Sequence, residues 1–122
     1  MSGAPPRSLT ESEVSDLLTH QRFGALATVK RSGHPHLSTV LYQWSPDTRT
    51  IRVSTTADRL KTRQIQANPH VALHVNGPDV WSFAVVEGEA EITEDTLDTT
   101  APDRRVTITL KATRLYGTAL DV

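Results

Sequence analysis

Phe23-Gly24-Ala25-Leu26-Ala27-Thr28-Val29-Lys30-Arg31-Ser32-Gly33-His34 is the stretch on which the fold turns. Phe23, Ala25, Ala27 and Val29 alternate with Gly24, Leu26, Thr28 and Lys30 at the two-residue period of a strand. Arg31-Ser32-Gly33-His34 then reads as a hairpin turn, with Gly33 free to adopt positive φ. A second strand over about 36–44 follows, then a turn at Ser45-Pro46-Asp47-Thr48 and a third, β-branched strand over 51–56.

Upstream of this unit, Thr10 and Glu13 form a capping box, with Leu9 and Val14 as the hydrophobic staple. The helix they open runs to about residue 20 and presents Val14, Leu17 and Leu18 on one face. Downstream, a short helix over about 58–67 is stopped by Asn68-Pro69. A fourth strand at 71–75 and a turn at Asn76-Gly77-Pro78-Asp79 come next, then a long strand over 81–92 with a bulge expected at Gly88. A polar stretch at 93–103 leads to a strand at 105–110 and a short last one at 114–116. Residues 1–8 read as a disordered tail and 9–122 as a single domain. Six or seven strands with only two short helices predict a mainly β fold: a small antiparallel barrel, since closure removes exposed edges.

Charge narrows the function classes. Thirteen basic residues stand against fourteen acidic ones, so no bulk field draws the chain to nucleic acid or membrane, and any anion binding must be local. The absence of cysteine removes disulfide and thiolate chemistry and fits a reducing cytosol. Neither a signal peptide nor a membrane-length apolar run is visible, so a soluble, cytoplasmic protein is expected.

One local anion site does stand out. In Ser54-Thr55-Thr56-Ala57-Asp58-Arg59-Leu60-Lys61-Thr62-Arg63 a strand runs into a helix whose opening carries hydroxyls and cations. Free backbone N–H groups and the helix dipole favour an anion there, and Thr55, Thr56, Arg59 and Lys61 suit a phosphate. Alternatively, Arg59, Lys61 and Arg63 form the solvated face of an amphipathic helix. Other chemistries lack their signatures: there is no serine elbow, cysteine nucleophile or pair of flanked carboxylates. His34-x-His36 and His70-x₃-His74 could each place two imidazoles on one face, but a turn, a proline and the lack of an acidic partner argue against a metal. Trp44 and Trp81 read as core or interface anchors, and Glu87, Glu89 and Glu91 as the wet face of a strand.

Taken in order, these strings resemble the pyridoxamine-phosphate-oxidase-like split barrels. The match runs through Gly24-Ala25-Leu26-Ala27-Thr28-Val29, Gly33-His34-Pro35-His36, Val53-Ser54-Thr55-Thr56, Arg59/Lys61, Asn68-Pro69 and Gly88. It continues through Arg105-Val106-Thr107-Ile108 and Arg114-Leu115-Tyr116-Gly117, nearly the whole ordered chain. The set is most similar to the branch that binds the deazaflavin coenzyme F420 rather than FMN. The resemblance implies a split β-barrel homodimer with cofactor at the subunit interface. It assigns the cofactor phosphate to Ser54, Thr55, Thr56, Arg59 and Lys61, and the ring wall to Pro35, His36, Ser38 and Val40. Trp81 would be a wall contributed by the other subunit. It also implies a longer segment than the 93–103 stretch found here, which puts substrate choice and turnover in question.

Hydride transfer on such a cofactor asks little of side chains. Tyr42, His36 or solvent could supply a proton. The leading reading is therefore an F420-dependent oxidoreductase acting on a small unsaturated organic molecule. An FMN-binding flavin reductase or oxidase, and a cofactor-binding protein without turnover, are the alternatives. A plain protein-interaction barrel would bind no cofactor. Pyridoxamine phosphate oxidation itself is disfavoured, since that branch's additional substrate-binding cations have no place in the short C-terminal region.

Overall fold

The computed structural model describes residues 6–79, 81–94 and 104–120. Along the chain these form β1 (Arg7–Ser8), α1 (Glu11–His20), β2 (Phe23–Val29), β3 (Pro35–Leu41), β4 (Gln43–Ser45) and β5 (Thr50–Thr56). Then come α2 (Leu60–Ala67), β6 (His70–Asn76), β7 (Phe83–Glu94) and β8 (Arg105–Ala119). All the pairings are antiparallel, in the order β3-β2-β6-β7-β8-β5-β4, with β1 added on β8.

The mainly β split barrel is as expected, and its closure depends on one residue. β3 and β4 lie at opposite ends of the strand order, yet only Tyr42 separates them in sequence. A single strand over 36–44 was expected. Instead the chain breaks at Tyr42, whose side chain drops into the core and whose hydroxyl donates to the Leu18 carbonyl at 2.7 Å. The Tyr42 N–H donates to the Arg22 carbonyl at 3.0 Å. The two ends of the sheet are thus held together by chain continuity and by α1.

The α1 capping box forms as read: the Glu13 N–H donates to Thr10 Oγ1 at 3.2 Å and the Thr10 N–H to Glu13 Oε1 at 3.0 Å. The Thr10 N–H and then the Arg7 guanidinium hold the Glu13 carboxyl below its usual pKa. Val14 and Leu18 are fully buried against the barrel, with Leu9 and Leu17 packed at the margin. The hairpin turn also forms, Gly33 sitting at φ 91° while the Lys30 N–H donates to the His34 carbonyl at 2.9 Å.

Three local expectations change. Arg7 and Ser8, read as tail, pair with Ala119 and Thr118, whereas residues 1–5 lie outside the described residues. Trp81 belongs to the turn before β7 rather than to the strand. The two short strands expected at the end are one fifteen-residue strand, β8, which pairs with β5, β7 and β1 along its length. The bulge at Gly88 is present: Glu87 pairs with Arg114 and Gly88 with Ala112, leaving Thr113 as the extra residue, its Oγ1 donating to the Glu87 carbonyl at 3.1 Å. The polar stretch falls largely on 95–103, outside the described residues. The core is Leu26, Ile51, Val53, Ile65, Leu73, Val75, Val86, Ile108 and Leu110, one inward row per strand plus α2's buried face.

Candidate functional site

β5 delivers the chain to α2, and strand geometry sorts the hydroxyls on the way. Ile51, Val53 and Thr55 face the core, so Thr55 is buried, while Ser54 and Thr56 lie on the other face. Both outward hydroxyls are engaged. Arg105 Nη2 donates to Ser54 Oγ at 2.7 Å, and Thr56 Oγ1 donates to Asp58 Oδ1 at 2.7 Å. That bond, more than the flanking Arg59 and Arg63, holds the Asp58 carboxyl below its usual pKa. The Ser54, Thr55 and Thr56 side chains therefore do not converge on one point.

The α2 terminus is better suited to an anion. Its N-cap is Arg59, which makes no side-chain capping bond, and its first turn carries no acidic residue. The first-turn N–H groups thus have no capping carboxylate or hydroxyl. Lys61 is half-buried, and desolvation, then the neighbouring Arg59 charge, lowers its pKa. A bound anion would offset both effects. Thr62, on the next position, is fully buried and donates to the Thr56 carbonyl at 3.1 Å, pinning the helix start to the end of β5.

On β3 the alternation turns His36, Ser38 and Val40 inward and leaves Pro35, Leu37, Thr39 and Leu41 exposed. Val40 is core. Ser38 Oγ is buried and, among the described residues, is the one buried side-chain polar atom with no hydrogen-bond partner. Such a group is costly to leave unsatisfied. His36 Nδ1 lies 2.9 Å from Gln64 Oε1, which also accepts from Thr28 Oγ1 at 2.5 Å. A carbonyl oxygen only accepts, so Nδ1 is the donor in this contact. Gln64 and Thr28 are buried polar residues that the sequence reading missed; nothing in the α2 sequence singles out a glutamine that reaches 28 residues back to β3. Arg105 was missed as well, for its partner Ser54 is 51 residues away.

Tyr42 is removed from the roles assigned to it. Burial pushes its pKa up to about 12, and its proton is committed to Leu18. His36 remains as the titratable residue on the inner row of β3. Trp81 is 64% exposed, in the turn beyond the far end of β6 from α2. Seven strand residues span roughly 20 Å, so Trp81 does not join α2 within one chain. Among the described residues no three His, Asp or Glu side chains cluster as a metal would need. His70 instead faces Glu89 at 3.9 Å and His74 stacks on Phe83 with centroids 5.1 Å apart.

Comparison with known proteins accords with this architecture. The pyridoxamine 5'-phosphate oxidase family model matches residues 10–116, so the chain is a member of that family. Within it the chain is 28% identical to a solved F420 reductase, with a TM-score of 0.71 over 83% of this chain and 94% of that one. A FAD-binding protein from Mesorhizobium loti superposes with a TM-score of 0.81 at 21% identity, over 98% of this chain and 100% of that one. An FMN-binding, pyridoxamine 5'-phosphate oxidase-related protein from Nostoc punctiforme gives 0.66 at 15% identity, over 83% and 75%. The last two likenesses concern the fold. No helix among the described residues is long and apolar enough to cross a membrane.

Proposed function

We propose that the chain is an oxidoreductase that binds a phosphate-bearing tricyclic cofactor, coenzyme F420 in first place, and reduces a small unsaturated organic substrate. The observation that carries this reading is the uncapped α2 terminus, with Arg59 beside a Lys61 whose charged form is disfavoured until an anion arrives. The F420 reductase likeness favours the deazaflavin, and the FMN-binding and FAD-binding likenesses keep FMN as the second reading.

In this arrangement Arg59, Lys61 and the N–H groups of Leu60 and Lys61 hold the phosphate, the Thr62 N–H being bonded to the Arg59 carbonyl at 3.1 Å. Thr56 joins them by turning its hydroxyl from Asp58. Thr55 takes part through its place at the strand end rather than its buried side chain. Ser54, bonded to Arg105, brings a third cation to the same sheet edge. His36 walls the ring with its side chain, while Ser38 and the core residue Val40 contribute through their β3 backbone. The bound ring supplies the hydride chemistry. His36, whose Nδ1 is held by Gln64, or solvent delivers the proton.

The same reading makes the protein a homodimer. Phe23, Leu37 and Leu41 are 62%, 66% and 73% exposed on the outer face of the β2–β3 hairpin, and β3 is an edge strand. Phe23 pairs directly with Leu41, so the apolar residues form one patch of the kind that self-association covers. A second copy then brings its own Trp81 turn towards the cofactor. Titration of the purified protein with F420 and with FMN, followed by calorimetry, tests the reading. Selective binding of the deazaflavin is expected, selective FMN binding would move the chain to the second reading, and binding of neither would end the catalytic proposal.

A further inference from the structure

Three side chains from three elements meet on the inner side of the β2–β3 hairpin: Thr28 of β2, His36 of β3 and Gln64 of α2. Gln64 Oε1 accepts from Thr28 Oγ1 and from His36 Nδ1, the latter at 2.9 Å. Thr28 and Gln64 are buried, whereas His36 is half-buried on an edge strand. A glutamine on the core face of a helix is costly unless its amide is bonded, and Thr28 alone already gives Oε1 a partner. His36 has no comparable need, since a half-buried imidazole can bond water. The bond between His36 and Gln64 therefore does more than satisfy buried groups: it orients the ring.

Gln64 is held firmly enough to act as a template. Thr62 Oγ1 pins the start of α2 to the Thr56 carbonyl at 3.1 Å. Ile65, next to Gln64, is part of the core, and the Asn68 N–H closes the helix on the Gln64 carbonyl at 2.8 Å. An amide oxygen has only lone pairs, so it can accept the Nδ1 proton but never supply one. A neutral histidine carries a single ring proton, which in free solution favours Nε2. The hydrogen bond made by one ring nitrogen sets where that proton sits.

We propose that Gln64 is a positioning residue that holds neutral His36 in the Nδ1–H tautomer and fixes its ring plane, leaving Nε2 to accept a hydrogen bond from a ligand N–H or O–H group. Where His36 borders the cofactor ring, a proton passing through it enters and leaves at Nε2. Nε2 binds the proton, the imidazolium carries the charge, and the same N–H bond breaks on delivery, while Nδ1–H stays on Gln64 throughout. This last step rests on the cofactor reading; the tautomer does not.

The ¹⁵N shifts of the imidazole ring, measured by NMR on cofactor-free protein at about pH 9, above the usual histidine range, read the tautomer directly. His36→Asn assigns the signal among the five histidines. A pyrrole-type Nδ1 and a pyridine-type Nε2 are expected. Thr28→Val should lower the melting temperature yet leave this pattern unchanged, because Gln64 Oε1 keeps His36 as a partner. Gln64→Leu in the Thr28→Val background removes donor and acceptor together, so no hydroxyl is orphaned, and should return the proton to Nε2. Gln64→Glu retains an acceptor and should keep it on Nδ1. The proposal is overturned if parent His36 carries its proton on Nε2, if the Thr28→Val/Gln64→Leu protein keeps the Nδ1–H pattern, or if Thr28→Val alone abolishes it. Calorimetry with F420 and FMN reads the ligand role. Affinity should fall about fivefold or more in Thr28→Val/Gln64→Leu and stay within about twofold in Thr28→Val. An Nδ1–H tautomer in a protein that binds neither cofactor upholds the positioning of His36 and ends the cofactor reading alone. Cofactor affinity that survives loss of the tautomer overturns the ligand role of Nε2.

Discussion

The Tyr42 hydroxyl donates to the Leu18 carbonyl at 2.7 Å, joining the one-residue break between β3 and β4 to the last turns of α1. Tyr42→Phe leaves that carbonyl without its donor and should cost about 1–2 kcal/mol in denaturant unfolding. The pH dependence has a fixed sign. The folded pKa is raised from 10.0 to about 12, so the contribution is complete below about 10 and disappears as pH climbs from there to about 12. Tyr42→Phe should lack that alkaline step; an identical alkaline profile in the two proteins would show that Tyr42 ionisation does not govern it.

Lys61→Ala should weaken F420 or FMN binding by about 1.5–3 kcal/mol, the range for a charge-assisted contact. Because the folded state disfavours the Lys61 charge, the ligand-free variant should be no less stable than the parent at neutral pH. Parent stability should rise slightly as pH passes upward through the lowered Lys61 pKa towards 10.5, since folding favours the neutral amine. Cofactor affinity unchanged in both Lys61→Ala and Arg59→Ala would remove the phosphate from α2.

Gly88→Ala tests the bulge. A Cβ on Gly88 would lie 1.9 Å from the Lys111 carbonyl oxygen, a backbone atom that cannot swing aside. Loss of about 3 kcal/mol or more, or failure to fold, is expected, as for other substitutions that force backbone apart. A melting temperature within a degree or two of the parent would show that β7 and β8 can re-register.

Leu41→Lys together with Leu37→Lys should turn the proposed dimer into monomer in analytical ultracentrifugation while leaving the fold intact, because both side chains are mostly exposed within one chain. Cofactor affinity should fall with it if Trp81 of a second copy completes the site. A parent protein that sediments as a monomer at all concentrations would refute the interface.

Much of the fold was legible because its signals are local. Thr10 and Glu13 are three residues apart, Gly33 sits inside its own turn, and Asn68-Pro69 directly follows the helix that it ends. The alternation in β2 likewise needs only neighbours, and the ordered set of such strings was enough to resemble the right family. The α2 terminus was readable for the same reason, as strand, hydroxyls and cations follow one another along the chain.

What the sequence by itself determined, then, was the kind and order of elements, the turns and caps, and a cationic helix start suited to phosphate. Tertiary structure decided which side chains share a place. It sent Tyr42 into the core, set Thr55 on the opposite face from Ser54 and Thr56, and merged the last two strands into β8. It brought Thr28, His36 and Gln64 from three elements onto one carbonyl oxygen. The reason is physical: a cap or turn is settled by backbone hydrogen bonds over a few residues, whereas strand partners and buried polar pairs are chosen by which distant surfaces exclude water together.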